Sequence, residues 1–174
     1  GTGGGVYPAL SGLQTLGDEA HEVLWIGSEG KMEADLVQRK KVPFTSIPAA
    51  GVHGVGLRAL PGNLLRLAQG TLAARRIIRR FQPDVMLFTG GYVAVPAALA
   101  GRRIPSVLFV PDIEPGLALK TLARFATRIA VSVPDTRDFF RNDPRVVVSG
   151  YPTRPELQPQ PQTAARRHFG LDPD

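Results

Sequence analysis

The chain has 174 residues, 43% of them hydrophobic and 21% charged, which is typical of one globular domain and excludes a disordered or fibrous protein. Every apolar run is interrupted before the roughly 20 residues that a membrane-spanning helix needs, and the lack of cysteine excludes disulfides, thiolate metal ligands and cysteine nucleophiles. The formal charge of +6 favours anionic partners such as phosphates, acidic lipid headgroups or nucleic acid.

Short aliphatic runs alternate with helical patterns along the chain. This alternation predicts an α/β fold with a doubly wound parallel sheet, Rossmann-like, whose strands are buried on both faces by helices. We expect strands at 23–26, 44–47, 84–88, 106–110, 128–133 and 145–148. We expect helices at 7–16, 32–40, 62–81, 92–100 and 116–125, and a short one at 163–170 after a proline- and glutamine-rich linker.

Three segments that should follow strands carry the candidate chemistry, because ligands of such folds bind beyond the carboxyl ends of the strands. They are segments 1–5, 89–92 and 111–116. The first two are rich in glycine, which lets backbone N–H groups approach an anion closely. The alternative is that each turn needs only the conformational freedom of glycine. A glycine loop normally follows a strand, so a strand is expected ahead of Gly1. Two facing loops suit a diphosphate, and its candidate ligands are Thr2, Gly3, Gly4, Gly5, Gly90, Gly91 and Tyr92.

A dinucleotide-binding dehydrogenase also begins with a glycine loop on a parallel sheet. Its Gly-x-Gly-x-x-Gly pattern, counted from Gly1, has Val6 in place of the third glycine, which argues against that class.

An ordered set of motifs resembles a known family, the glycosyltransferase family 28 enzymes that transfer N-acetylglucosamine from UDP-N-acetylglucosamine to lipid I. The motifs are GTGGGVYPAL at 1–10, GSEGKMEA at 27–34, IPAAG at 47–51, QPDV at 82–85, GGYV at 90–93, PGL at 115–117 and GYPTR at 150–154. Together they span nearly the whole chain in the order that the family has them.

The resemblance implies the N-terminal domain of an inverting GT-B glycosyltransferase of peptidoglycan synthesis, peripheral on the cytoplasmic face of the plasma membrane. Residues 1–150 would bind a polyprenyl-diphosphate-linked sugar, without a cofactor or metal. Residues 151–174 would form the interdomain linker and the start of a second domain, which binds UDP-N-acetylglucosamine. This chain alone is expected to be inactive. The alternatives are a transferase for another lipid such as diacylglycerol, and a non-catalytic module that binds phosphate or docks on membranes.

Two positions depart from the family pattern. Gly5 stands where the family usually has a histidine, and Phe-Val-Pro-Asp at 109–112 replaces a His-Glu-Gln-Asn run. Both departures are expected in the acceptor pocket, so the acceptor or the catalytic groups would differ from the usual ones. An inverting transfer needs a base near the attacking hydroxyl. Asp112 is the first candidate and Glu114 the second, and the alternative for Asp112 is a turn residue beside Pro111.

The predicted helix at 62–81 carries five arginines, Arg66, Arg75, Arg76, Arg79 and Arg80. One interpretation is an amphipathic helix with its apolar stripe in the core and a basic face in solvent. The resemblance implies another, a basic-rimmed apolar patch that binds the anionic membrane surface. No nucleic-acid-binding motif or interleaved aromatic set accompanies the charge, so nucleic acid is not an expected partner.

Overall fold

The computed structural model describes residues 3–17, 22–28, 32–50, 60–153 and 161–172. Within these ranges helices and strands alternate as predicted. The elements are α1 Gly3–Leu16, β1 Trp25–Gly27, α2 Met32–Arg39, β2 Phe44–Ser46, α3 Leu60–Phe81, β3 Met86–Phe88, α4 Ala94–Ala100, β4 Ser106–Val110, α5 Leu117–Ala123, β5 Arg128–Val131, α6 Thr136–Phe139, β6 Val146–Val148 and α7 Gln162–His168. Among these elements, α6 is the one that the sequence patterns did not predict.

All paired strands run parallel, which confirms the predicted α/β class. They form two sheets rather than one, however. The first contains β1 and β2, and the second has the order β3, β4, β5, β6. The prediction of strands buried on both faces holds mainly for β4, because β1, β2, β3 and β6 lie at the edges of these two short sheets and keep partly exposed residues.

The main core lies between the four-stranded sheet and helices α3, α4 and α5. Leu108, Val110, Leu122, Ile129 and Val131 are inaccessible to solvent within it. A smaller apolar cluster joins α1 to α2 through Val6, Leu10 and Val37. Ile26 of β1 and Ile47, directly after β2, contact the main core, so the two-stranded sheet contributes to both clusters.

Helix α3 packs closely against its surroundings because the residues on its inner side are small. Gly70 and Ala74 are the buried residues of this helix. A Cβ atom at Gly70 would collide with the Pro48 carbonyl oxygen and lie 3.3 Å from the Cβ atom of Pro96 on α4. Glycine therefore lets the backbone of α3 approach the segment after β2. Among the described helices, none has an apolar stretch long enough to span a bilayer.

Candidate functional site

A cavity of about 360 Å³ lies at the carboxyl ends of β3 and β4, beside the first turn of α1. It brings together the three segments that the sequence singled out. The lining residues are Gly4, Gly5, Thr89, Gly90, Gly91, Pro111, Asp112, Gly116, Ala118, Leu119 and Tyr151. Its volume is within the range of small-molecule sites in proteins.

The first glycine segment forms the start of a helix rather than a loop. Helix α1 begins at Gly3, so Gly4 and Gly5 belong to its first turn. We expected the helix to begin at Tyr7, from the three- and four-residue spacing of its apolar residues. The helix instead continues through Pro8. The N–H groups of a first helical turn have no partners within the helix, and together with the helix dipole they stabilise an anion there.

Gly5 allows α1 to approach the turn after β3. A Cβ atom at this position would lie 3.2 Å from the carbonyl oxygen of Thr89 and 3.3 Å from its hydroxyl oxygen. These distances are shorter than ordinary van der Waals contacts of carbon. A side chain at Gly5 would therefore require the Thr89 turn to shift.

The second glycine segment is a turn with a left-handed backbone. Gly90 has φ of 100° and Gly91 has φ of 84°, values that residues other than glycine rarely adopt. Both residues also line the cavity, so the need for glycine in this turn does not exclude a role in binding an anion there. Tyr92 is exposed and lies outside the cavity lining.

The loop after β4 carries the two acidic candidates, and only one of them lines the cavity. Asp112 is a lining residue, whereas Glu114 is exposed and lies outside the lining. Two hydroxyls from the next strand and helix hold the loop backbone. The hydroxyl oxygen of Ser132 lies 2.7 Å from the Pro111 carbonyl oxygen, and that of Thr136 lies 3.5 Å from the Asp112 carbonyl oxygen. These contacts hold the loop backbone at Pro111 and Asp112, and therefore set the position from which Asp112 lines the cavity.

Two other predicted residues of this site belong to the start of the chain. Thr2 lies outside the described residues, and Gly3 is the first residue of α1. Of the four residues at 109–112 that differ from the family pattern, two line the cavity, Pro111 and Asp112. Phe109 and Val110 end β4 and are buried, and the Phe109 ring packs edge-on against Tyr151 at 5.9 Å. Our expectation that the whole run faces the pocket is therefore wrong for its first half, because strand alternation places these side chains in the sheet layers.

Several lining residues were not predicted. Thr89 and Gly116 lie inside the segments 89–92 and 111–116 that were singled out, although neither was named as a site residue. Tyr151 follows the last strand, and nothing in its local sequence indicates that it returns to the end of β4. Within the described ranges, no three His, Asp or Glu side chains converge in an arrangement suited to a metal ion.

The outward face of α3 combines basic and apolar side chains. Leu64, Leu65 and Leu72 are 50%, 60% and 56% exposed, and Arg66, Arg75, Arg76, Arg79 and Arg80 are exposed as well. At 100° per residue the three leucines share an arc of about 120° with Arg75, Arg76 and Arg79. The interpretation that puts the whole apolar stripe in the core is therefore wrong for these leucines. We name this surface of three leucines and five arginines the α3 face.

An ion pair outside the cavity fixes the start of β6. The Asp143 carboxylate accepts three hydrogen bonds from the guanidinium of Arg145, the shortest at 2.7 Å, and the same guanidinium donates to the Ala126 carbonyl at 2.7 Å. The hydrogen bonds from the Arg145 side chain, and then from its backbone N–H, lower the pKa of Asp143 from 3.8 to about 2. This pair ties the loop before β5 to the strand at the sheet edge.

Matches to curated relatives extend over all or nearly all of this chain but over only about half of each relative. The chain is 39% identical to a UDP-N-acetylglucosamine--N-acetylmuramyl-(pentapeptide) pyrophosphoryl-undecaprenol N-acetylglucosamine transferase of Roseiflexus sp., over 100% of this chain and 49% of the relative. A protein of the same name from Desulforudis audaxviator is 38% identical over 98% of this chain and 47% of the relative. The chain thus spans about half the length of the curated relatives that it matches.

Solved structures share the fold. The crystal structure of MurG from Acinetobacter baumannii superposes with a TM-score of 0.71 at 24% identity, over 90% of this chain and 44% of that one. The UDP-GlcNAc 2-epimerase of Neisseria meningitidis superposes with a TM-score of 0.60 at 10% identity, over 85% and 44%. A family model described as the glycosyltransferase family 28 N-terminal domain matches residues 1–131. The chain therefore belongs to the family of the glycosyltransferase family 28 N-terminal domain.

Proposed function

We propose that this chain is the acceptor-binding N-terminal domain of a GT-B glycosyltransferase that transfers N-acetylglucosamine from UDP-N-acetylglucosamine to a polyprenyl-diphosphate-linked sugar. The observation that carries the proposal is the cavity that joins both glycine segments to Asp112. The names of the curated relatives, which specify this transfer, give the chemical identity of the two substrates. The domain comprises residues 1–150, and residues 151–174 lead to the donor-binding domain.

In this proposal the acceptor diphosphate lies between the first turn of α1 and the turn at Gly90 and Gly91. The backbone N–H groups there bind its oxygens, and the partial positive charge of the α1 N-terminus adds to the attraction. Glycine is needed at these positions because Gly90 and Gly91 have positive φ and because a Cβ atom at Gly5 would crowd Thr89. The site therefore recognises the diphosphate through backbone groups rather than through charged side chains.

Asp112 acts as the general base of the transfer. Its carboxylate takes the proton of the acceptor hydroxyl while the hydroxyl oxygen attacks the anomeric carbon of N-acetylglucosamine. The bond from that carbon to the UDP oxygen breaks, UDP leaves with the electron pair, and the anomeric configuration inverts. UDP-N-acetylglucosamine is held by a second domain, so the present chain has no transferase activity alone.

The α3 face docks the domain on the cytoplasmic surface of the plasma membrane. Its exposed leucines enter the headgroup region while the arginines pair with anionic lipids, each contributing about 1 kcal/mol. The clustering of half-exposed leucines among arginines supports this role, because exposed leucine side chains contribute no stability to a surface that contacts only water.

Binding to a short-chain polyprenyl-diphosphate-linked N-acetylmuramic acid tests the acceptor assignment. The chain should bind this compound and should bind the monophosphate analogue more weakly. Gly91→Ala should weaken binding by about tenfold, the value of one lost hydrogen bond to a charged group. Gly170→Ala is the matched control, because Gly170 also has positive φ, 67°, and a Cβ atom there meets nothing within 4 Å. Equal affinities of Gly91→Ala and the unaltered chain would contradict the assignment.

The same assay separates the alternatives. Preference for diacylglycerol would indicate a transferase for another lipid. Tight binding of UDP-N-acetylglucosamine by these 174 residues, measured by calorimetry, would contradict the division of labour between the domains.

Co-sedimentation with liposomes tests the membrane role. Replacing Arg75 and Arg79 together by glutamine should lower partitioning onto vesicles with anionic lipid by about 30-fold, from roughly 2 kcal/mol of lost attraction. The same double replacement at Arg102 and Arg103, which are exposed outside α3, is the matched control. Retention by duplex DNA without retention by anionic vesicles would refute the proposed docking.

A further inference from the structure

Tyr151 is the one aromatic residue in the cavity lining within the described part of the chain. The other lining residues are glycine or carry short or aliphatic side chains, except for the hydroxyl of Thr89 and the carboxylate of Asp112. Tyr151 is 48% exposed, so about half of its surface is open to solvent. An aromatic ring that borders a cavity and remains half exposed is available to a ligand that covers it.

The backbone on both sides of Tyr151 is constrained. The N–H group of Ser149 donates to the Val131 carbonyl at 3.0 Å, which holds the end of β6 on β5. Gly150 then has φ of 76°, a left-handed conformation that turns the chain out of the strand direction. Pro152 follows, and the residue before a proline is restricted to extended conformations. Tyr151 therefore has little backbone freedom to lose when a ligand binds.

A contact with a distant strand holds the ring. The order β3, β4, β5, β6 puts β6 two strands from β4, about 10 Å away at the usual spacing of strands. The Tyr151 ring nevertheless meets the Phe109 ring of β4 edge-on, with centroids 5.9 Å apart and planes inclined by 70°. Phe109 is buried in the sheet, which makes it a rigid support. The chain after β6 thus crosses the carboxyl end of β5 and brings the ring to the end of β4.

The ring lies beside the loop that carries the proposed base. Phe109 is three residues before Asp112, and both Asp112 and Tyr151 line the cavity. The turn at Gly90 and Gly91, which would bind the diphosphate, lines the same cavity. A sugar that is attached to this diphosphate and has its hydroxyl at Asp112 would therefore lie next to Tyr151. Sugar rings have faces made of C–H groups, and these faces pack on aromatic rings as other apolar groups do.

We propose that Tyr151 is a specificity-determining residue of the acceptor site, and that the sugar attached to the diphosphate stacks on its ring. This inference rests on the proposed function and deepens it, because it assigns the diphosphate and the sugar to different walls of the cavity. The glycine segments bind the diphosphate through backbone groups, while Tyr151 contacts the C–H face of the sugar. A lipid with the same diphosphate and no sugar gains no affinity from Tyr151.

Calorimetry with two lipids separates the contributions of the two walls. The probes are a short-chain polyprenyl diphosphate that carries N-acetylmuramic acid and the same polyprenyl diphosphate without a sugar. Tyr151→Ala should weaken binding of the first lipid about fivefold, the value of one lost aromatic contact, and should leave binding of the second unchanged. Tyr151→Phe keeps the ring, so this variant should bind the first lipid as the unaltered chain does.

Phe169→Ala is the matched control. The Phe169 ring also packs edge-on against another ring, that of His168 at 5.2 Å, but Phe169 is exposed and is not a lining residue of the cavity. This variant should bind both lipids as the unaltered chain does. If Tyr151→Ala binds both lipids normally, or loses affinity for both equally, the inference is overturned and the acceptor assignment stands. If the unaltered chain binds neither lipid, the acceptor assignment fails and the inference fails with it.

Discussion

Replacing Gly70 by alanine should destabilise the protein although it raises helix propensity. Alanine at an interior helical position is favoured over glycine by about 1 kcal/mol. The new methyl group, however, would collide with the Pro48 carbonyl oxygen and lie 3.3 Å from both the Pro48 carbonyl carbon and the Pro96 Cβ atom. Backbone and a proline ring cannot move aside as a flexible side chain can, so the overpacking should cost about 3 kcal/mol, the upper end of the usual range. The net loss in unfolding free energy is then about 2 kcal/mol.

Gly62→Ala on the same helix is the matched control. Gly62 is exposed, and a Cβ atom there meets nothing within 4 Å, so this change should be neutral or stabilise by up to about 1 kcal/mol. Urea denaturation of both variants, followed by circular dichroism, measures the difference, which should be 2 to 3 kcal/mol or so. Equal stability of the two variants would refute the close packing of α3 on the segment after β2.

Four further substitutions test the cavity and the ion pair. Asp112→Asn in a protein that contains both domains should lower kcat by about 100-fold or more, as expected for a lost general base, while Glu114→Gln should change it little. Ser132→Ala removes the hydroxyl beside the carbonyl that precedes Asp112 and should lower kcat by about fivefold, with KM for UDP-N-acetylglucosamine unchanged. Asp143→Asn should lower the melting temperature near pH 6. Because the pKa of Asp143 is about 2 in the folded state against 3.8 ordinarily, this deficit should shrink as pH falls from 4 to 2, and a constant deficit would contradict the role of Arg145.

The sequence by itself determined the class of fold, the order of elements and two sides of the cavity. Strand β4 has the predicted bounds, because five consecutive residues of its run are apolar or small and the flanking prolines and glycines end the helices on both sides. The glycine segments were found for a similar local reason. Positive φ at Gly90 and Gly91 is a property of the turn itself, so the residue type alone indicates where the chain turns sharply.

Tertiary structure decided the features that depend on distant contacts. Helix α1 begins at Gly3 rather than Tyr7 because its first turn packs against Thr89, which local propensity does not reflect. The outward position of Leu64 and Leu72 could not be predicted either, because helical periodicity groups leucines on faces without stating which face is covered. The return of Tyr151 to Phe109 likewise arises from the arrangement of strands. Local patterns fix which segments are helix or strand, whereas the partners of each edge and face are fixed by contacts between residues far apart in the chain.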